Sequence, residues 1–189
     1  MVLDVALRIF IERGSAAVSM DAIAAAAGVT KPVVYACFPS RSELLEALLE
    51  REERRLIGHV AAALPERPTL DDPEGGLRAG LTAFLSAVRS EPDSWRLILL
   101  SQQAADPDIL ERVLRGRKEQ TARMAELVTA QFTTRGVADA ERKAELVAHV
   151  IVATGESAAA LLLEHPGRWE PAGLAELLAR LLVRGAGRL

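Results

Sequence analysis

Ser19-Met20-Asp21-Ala22-Ile23-Ala24-Ala25-Ala26-Ala27-Gly28-Val29-Thr30-Lys31-Pro32-Val33-Val34-Tyr35-Ala36-Cys37-Phe38 reads as two short helices hinged at a glycine, the pattern of a helix-turn-helix. Ser19 is placed to accept a hydrogen bond from a free amide of the first turn, and Asp21 sets a negative charge near the positive end of that helix. Met20, Ile23, Ala24 and Ala27 recur at three- and four-residue spacing and form one apolar stripe. Gly28 then supplies the positive φ with which a helix commonly ends. Thr30 is an N-cap candidate for the second helix, and Pro32 falls in its first turn, where a missing amide hydrogen costs little. Val29, Val34 and Phe38 face inward on this reading, which leaves Thr30, Lys31, Val33, Tyr35 and Ala36 facing outward. A second helix with that outward face is suited to the major groove of DNA.

The flanks supply the rest of a small core. Upstream, Leu3, Ala6, Leu7, Phe10 and Ile11 form an apolar face that ends at Arg13-Gly14. Downstream, Ser40 and Glu43 stand at capping-box spacing ahead of Leu44, Leu45, Leu48 and Leu49.

These residues resemble the DNA-binding domain of the TetR family of bacterial transcriptional regulators. The resemblance runs from Ala6-Leu7-Arg8-Ile9-Phe10 through Gly14, Ile23-Ala24 and Ala27-Gly28-Val29-Thr30-Lys31-Pro32. It closes with Tyr35-Ala36-Cys37-Phe38-Pro39-Ser40-Arg41 and Leu44-Leu45. It implies an all-α chain of about nine helices: a helix-turn-helix domain over 1–45 and a helical effector-binding and dimerisation domain over 46–189. The implied function is that of a homodimeric repressor, binding a palindromic double-stranded DNA operator and released by a small-molecule effector whose identity the sequence leaves open. Carried over by position, Thr30, Lys31, Pro32 and Val33 lie at the groove and Tyr35 and Arg41 on phosphates, with Ala36 and Ser40 as further DNA-binding positions. Lys31 offers a charge to phosphate or a donor to guanine, whereas Val33 can make only apolar contact, most usefully with a thymine methyl. Family members carry larger residues where this sequence has Ala36 and Cys37, and a basic arm ahead of the first helix. Either the start lies further upstream or the operator is held with fewer charges. The alternative is a helical ligand-binding or interaction protein of the same fold with weak or lost DNA binding.

Charge adds little long-range attraction to DNA. The net charge is -3 and the pI about 5.7. Residues 1–42 hold Arg8, Arg13, Lys31 and Arg41 against Asp4, Glu12 and Asp21, one net positive charge, which implies a modest salt dependence. Half of the 189 residues are apolar but only 4% aromatic, so the core is aliphatic. A lone cysteine, Cys37, excludes an internal disulfide framework and fits a reducing cytoplasm. The stretch Leu146 to Leu163 contains His149 and Glu156, which favours a buried or interface helix over a membrane span.

Beyond Ser40 the periodicity is helical. A fourth helix is expected from Arg41 to about Leu64, followed by a linker at Pro65-Glu66-Arg67-Pro68 and a polar loop to Gly76. Further starts are marked by Pro92, Asp106-Pro107, Asp139 and Pro171. In the last two helices Ala153, Gly155, Ala158, Ala159 and Ala160 permit close approach, while Leu174, Leu177, Leu178, Leu181 and Leu182 supply area. By the resemblance, these two helices pair with their symmetry mates; core packing within one subunit would require much the same residues. Phe84, Trp95, Leu99, Gln103, Met124 and Phe132 combine apolar surface with a few polar handles and are the effector-pocket candidates. The three histidines fall in no paired metal spacing, and Gly75-Gly76 lacks the lysine and hydroxyl of a phosphate cradle. No enzyme, metal or cofactor is expected.

Overall fold

Gly14 and Gly28 divide the first forty residues where backbone geometry requires it. The computed structural model describes residues 1–63, 72–101 and 107–186. Helix α1 (Val2–Arg13) stops at Gly14, which turns to φ 82. A 3-10 turn (Ser15–Ala17) leads to α2 (Met20–Ala27), whose first turn is capped by the Ser19 hydroxyl accepting from the Ala22 amide at 3.2 Å. Gly28 closes α2 in the left-handed region at φ 65, ψ 27, where a side chain costs about 1–2 kcal/mol. Helix α3 (Lys31–Cys37) follows at once, with Pro32 in its first turn. Helix α4 (Arg41–Ala63) begins at the Ser40 box: the hydroxyl accepts from the Glu43 amide at 3.1 Å and lies 3.2 Å from the Glu43 carboxylate.

The remaining elements are α5 (Pro73–Ser90), α6 (Pro92–Ser101), α7 (Pro107–Thr134), α8 (Ala140–Glu164) and α9 (Pro171–Ala186). Nine α-helices and no strand occur among the described residues. The expected loop to Gly76 is shorter than the sequence suggested. Helix α5 starts at Pro73 because Asp72 caps it, its carboxylate accepting from the Gly75 amide at 2.8 Å. Asp-Pro at a helix start is the same signal that marks 106–107, where Asp106 itself lies outside the described residues, as does the expected linker at 65–68. Asp139 precedes α8 at φ 55 without a capping bond from its side chain.

Two compact units form. The first joins Met1–Gly58 to Glu91–Leu114, so it contains the expected 1–45 head and adds more of α4, with α6 and the start of α7. The reason is the core itself: Leu97 and Val113 are buried in one cluster with Phe10, Ile23, Leu44 and Leu48. Fully burying one such side chain contributes about 1.5–3 kcal/mol. Within that unit Glu52 is entirely buried. Ser94 Oγ donates to its Oε2 at 2.6 Å, and Arg51 Nε donates to its Oε1 at 2.7 Å. Arg51 also reaches Asp4 at 2.7 Å, and Arg55 pairs with Glu91 at 2.6 Å. The Asp4 carboxyl is held below its ordinary range, chiefly by its hydrogen bond to the N-terminal ammonium, with burial opposing and Arg51 assisting.

The second unit joins His59–Ser90 to Arg115–Leu189. Helix α5 packs along α9 and against α8, burying Leu81, Leu85 and Val88 with Ala148, Val152, Leu174 and Ala175. Ion pairs Arg184–Glu74 at 2.9 Å and Arg89–Glu170 tie α9 and its approach to α5. On length and composition α8 could cross a membrane. Its Glu156 pairs with Arg117 at 2.9 Å, and Gly155, Ala158, Ala159 and Leu162 are buried in this unit, as suits a core helix.

Candidate nucleic-acid interface

Helix α3 is too short to be stable alone, and its placement comes from one side. Val34 is fully buried, while Val29 and Phe38 pack half-buried on the same core. The opposite side is open: Thr30, Lys31, Pro32, Val33, Tyr35 and Ala36 are all exposed, Val33 and Tyr35 at 47% each. Apart from Pro32, the inward and outward sets are those the sequence spacing assigns. Cys37 is also exposed.

Chemically the outward face is mixed. Thr30 takes the N-cap position but its hydroxyl makes no capping bond, so its donor and acceptor are available outward. Lys31 Nζ pairs with Asp21 Oδ1 at 2.7 Å, with both side chains largely exposed. Such a pair contributes about 0–1 kcal/mol, so exchanging Asp21 for a phosphate is energetically cheap. Val33 presents methyl groups and Tyr35 a ring with a terminal hydroxyl, an arrangement suited to base-edge contact beside backbone contact.

Two of the expected DNA-binding residues have partners within the head. The Ser40 hydroxyl is engaged in capping α4. Arg41 donates its Nε–H to the carbonyl oxygen of Val18 at 2.7 Å, a bond across 23 residues that sequence spacing does not reveal. Buried Glu52 is absent from the residues that sequence reasoning singles out. Its signal is nonetheless present, because 45, 48, 49, 52 and 56 form one stripe of α4 and the only non-leucine on it is Glu52.

The effector candidates divide between the units. Phe84, Met124 and Phe132 are half-buried in the second, and Phe84 Cε1 would lie 3.6 Å from a Cβ added at Gly155, so α5 and α8 approach closely there. Trp95 and Leu99 are half-buried in the first. Gln103 lies outside the described residues. An open cleft of about 580 Å³ is lined by Thr129, Thr133, Asp139, Ala140, Glu141 and Arg142, none of them a candidate and most of them polar.

Comparison with known proteins bears on both parts of the chain. Residues 2–48 match the model for bacterial regulatory proteins of the tetR family, and residues 73–185 match that for the tetracyclin repressor-like C-terminal domain. The HTH-type transcriptional activator FasR of Mycolicibacterium smegmatis is 37% identical over 108 residues, which are 57% of this chain and 48% of FasR. The chain thus spans about half the length of the curated relatives it matches. A TetR-like transcriptional regulator from Rhodococcus sp. RHA1 is 31% identical, with TM-score 0.74 over 98% of this chain and 93% of that one. FadR from Bacillus subtilis, solved with stearoyl-CoA, shares the fold at TM-score 0.78 and 16% identity over 97% of each chain. With a helix-turn-helix built as described and family models matching its head and its C-terminal region, this chain belongs to the tetR family of bacterial regulatory proteins.

Proposed function

We propose that the chain is a cytoplasmic, homodimeric, ligand-responsive transcriptional regulator that represses from a palindromic operator and is released by a small aliphatic effector. The observation that carries operator binding is the two-sided α3: Val34 is fully buried while Thr30, Lys31, Val33 and Tyr35 all face solvent. A two-fold dimer presents two such helices, which requires half-sites roughly 34–36 Å apart or a multiple of that. Support for the dimer surface comes from exposed leucines on the last helix. Leu177 and Leu181 are 54% and 66% exposed, and Leu146 and Val150 on α8 are 67% and 44% exposed. Of the small residues expected at that surface, Gly155, Ala158 and Ala159 are buried within the subunit and Ala160 is half-buried, whereas Ala153 is exposed, so Ala153 joins Leu146, Val150, Leu177 and Leu181 as the proposed contacts.

For the effector, the aliphatic core and low aromatic content favour a flexible apolar chain over a cation cage. The stearoyl-CoA bound in the Bacillus subtilis neighbour makes an acyl thioester the first probe. Selection of bound DNA from a random pool should return a palindrome, and stearoyl-CoA should then lower affinity for it. Linkage demands reciprocity: operator must weaken acyl-CoA binding by the same factor, ordinarily about 5- to 150-fold. A reporter carrying that palindrome across its promoter gives the sign of control, with higher expression on deleting this protein expected. Failure to enrich any sequence overturns the operator reading in favour of a ligand-binding protein of the same fold.

A further inference from the structure

We propose that Arg41 is a positioning residue of the reading head, which acts through the Val18 carbonyl to set the placement of α3. The inference rests on the operator-binding reading of α3. Its basis is the 2.7 Å bond from Arg41 Nε to Val18 O. Val18 is fully buried and immediately precedes Ser19, the cap of α2. Arg41 is the first residue of α4 and follows the short turn after α3. The bond therefore joins the start of α2 to the start of α4 and closes a ring that contains α2, the Gly28 turn and α3.

That ring matters because little else fixes α3. Its seven residues include one buried side chain, Val34. Both ends of the bond, in contrast, sit on fixed backbone. Ser19 caps α2 at 3.2 Å, and the Ser40–Glu43 box holds the first turn of α4. A donor and an acceptor pinned in this way transmit the position of α4 to α2 and α3 as one body. Loss of the bond leaves a buried carbonyl without that donor and frees the α2–α3 segment to shift against α4. Arg41 is half-buried and its Nε–H is turned into the head, so this donor is committed inward.

Covalent geometry provides a direct test. In glutamine the amide nitrogen is attached to Cδ, as Nε is in arginine, so Arg41→Gln keeps an N–H donor at that place and removes the charge. In lysine a methylene occupies that place, so Arg41→Lys keeps the charge and removes the donor. Operator affinity of the intact chain is measured across a salt series for wild type, Arg41→Ala, Arg41→Lys and Arg41→Gln, with hydrogen exchange of the 31–38 amides followed in each. The expected result is a loss of about tenfold or more for Ala and Lys, with the slope of log K against log salt unchanged in Lys, which keeps the charge. Gln restores most of the loss. Amide exchange in 31–38 rises in Ala and Lys and stays near wild type in Gln. The opposite order overturns the proposal: Lys binding like wild type, and Gln losing affinity with a slope smaller by about 0.9 per lost phosphate. Should wild type bind no DNA at all, the operator reading fails and the exchange measurement decides alone. Equal exchange in all four proteins then refutes positioning.

Discussion

Replacing Ser94 with alanine tests the polar contact buried beneath the reading head. The lost group is a hydroxyl donating to Glu52 Oε2 at 2.6 Å, between residues 2% and 0% exposed. Glu52 keeps Arg51, whose Nη2 lies 2.6 Å from Oε1, and Arg55, 3.8 Å from Oε2. The charge therefore stays paired, and what disappears is one charge-assisted hydrogen bond in a dry site, about 1.5–3 kcal/mol. For a chain of this length each kcal/mol moves the thermal midpoint by about 2–4 °C, which gives a fall of about 3–12 °C. Urea unfolding supplies the free energy, at one fixed protein concentration because assembly contributes to apparent stability. Glu52→Leu should cost about as much as Ser94→Ala, because it leaves the buried Ser94 hydroxyl without this acceptor. It keeps an apolar volume on a leucine-rich stripe, and neither arginine is orphaned, since Arg51 retains Asp4 and Arg55 retains Glu91. In the Glu52→Leu background, Ser94→Ala should then be nearly silent, a coupling of about 1 kcal/mol or more. A Ser94→Ala loss under about 0.5 kcal/mol, or additivity in the double mutant, would refute this account of the site.

Gly28→Ala meets no atom within 4 Å but holds φ 65, so it should destabilise by about 1–2 kcal/mol through strain alone, read as a lower urea midpoint with an unchanged slope. On the selected operator, Lys31→Ala should weaken all sequences alike and reduce the salt slope. Val33→Ala should instead relax preference at one base pair by about 1 kcal/mol or more, and equal losses on every sequence would remove Val33 from the readers. Leu177→Glu with Leu181→Glu should convert a particle of twice 20.3 kDa into a monomer by light scattering, while the helical circular dichroism stays unchanged. A dimer that survives both changes assembles through another surface.

Local chemistry is legible where a helix begins or ends. Ser19, Gly28, Pro32, Ser40 and Pro171 each mark a boundary because capping and φ restrictions involve neighbours within four residues. The split of α3 into buried Val34 and exposed Val33 and Tyr35 follows from helical period for the same reason. Contacts across long separations are not legible. Nothing in the spacing of residues 18 and 41 indicates that one arginine answers a carbonyl 23 residues away, so similarity alone sends Arg41 to a phosphate. The α8 small residues are ambiguous for a related reason: core and interface both select them at helical spacing, and only coordinates separate buried Gly155 and Ala159 from exposed Ala153, Leu146 and Val150.

Charge and symmetry together set the demands on this head. Of the cations in 1–42, Lys31 already has Asp21 beside it and Arg41 is turned toward Val18. A single head so lightly charged gains little from counterion release. If one half-site binds at about 1 mM, it contributes about −4.1 kcal/mol, and two heads held at fixed spacing approach about −8.2 kcal/mol, near 1 μM, before any gain from pre-alignment. In the proposed dimer the pair is useful only while both α3 helices keep register with successive grooves, because a misaligned second head forfeits the whole second increment. Weak charge therefore places the discriminating energy in geometry. An effector that shifts the two heads out of that register removes half of the binding free energy without touching a single contact at the first half-site.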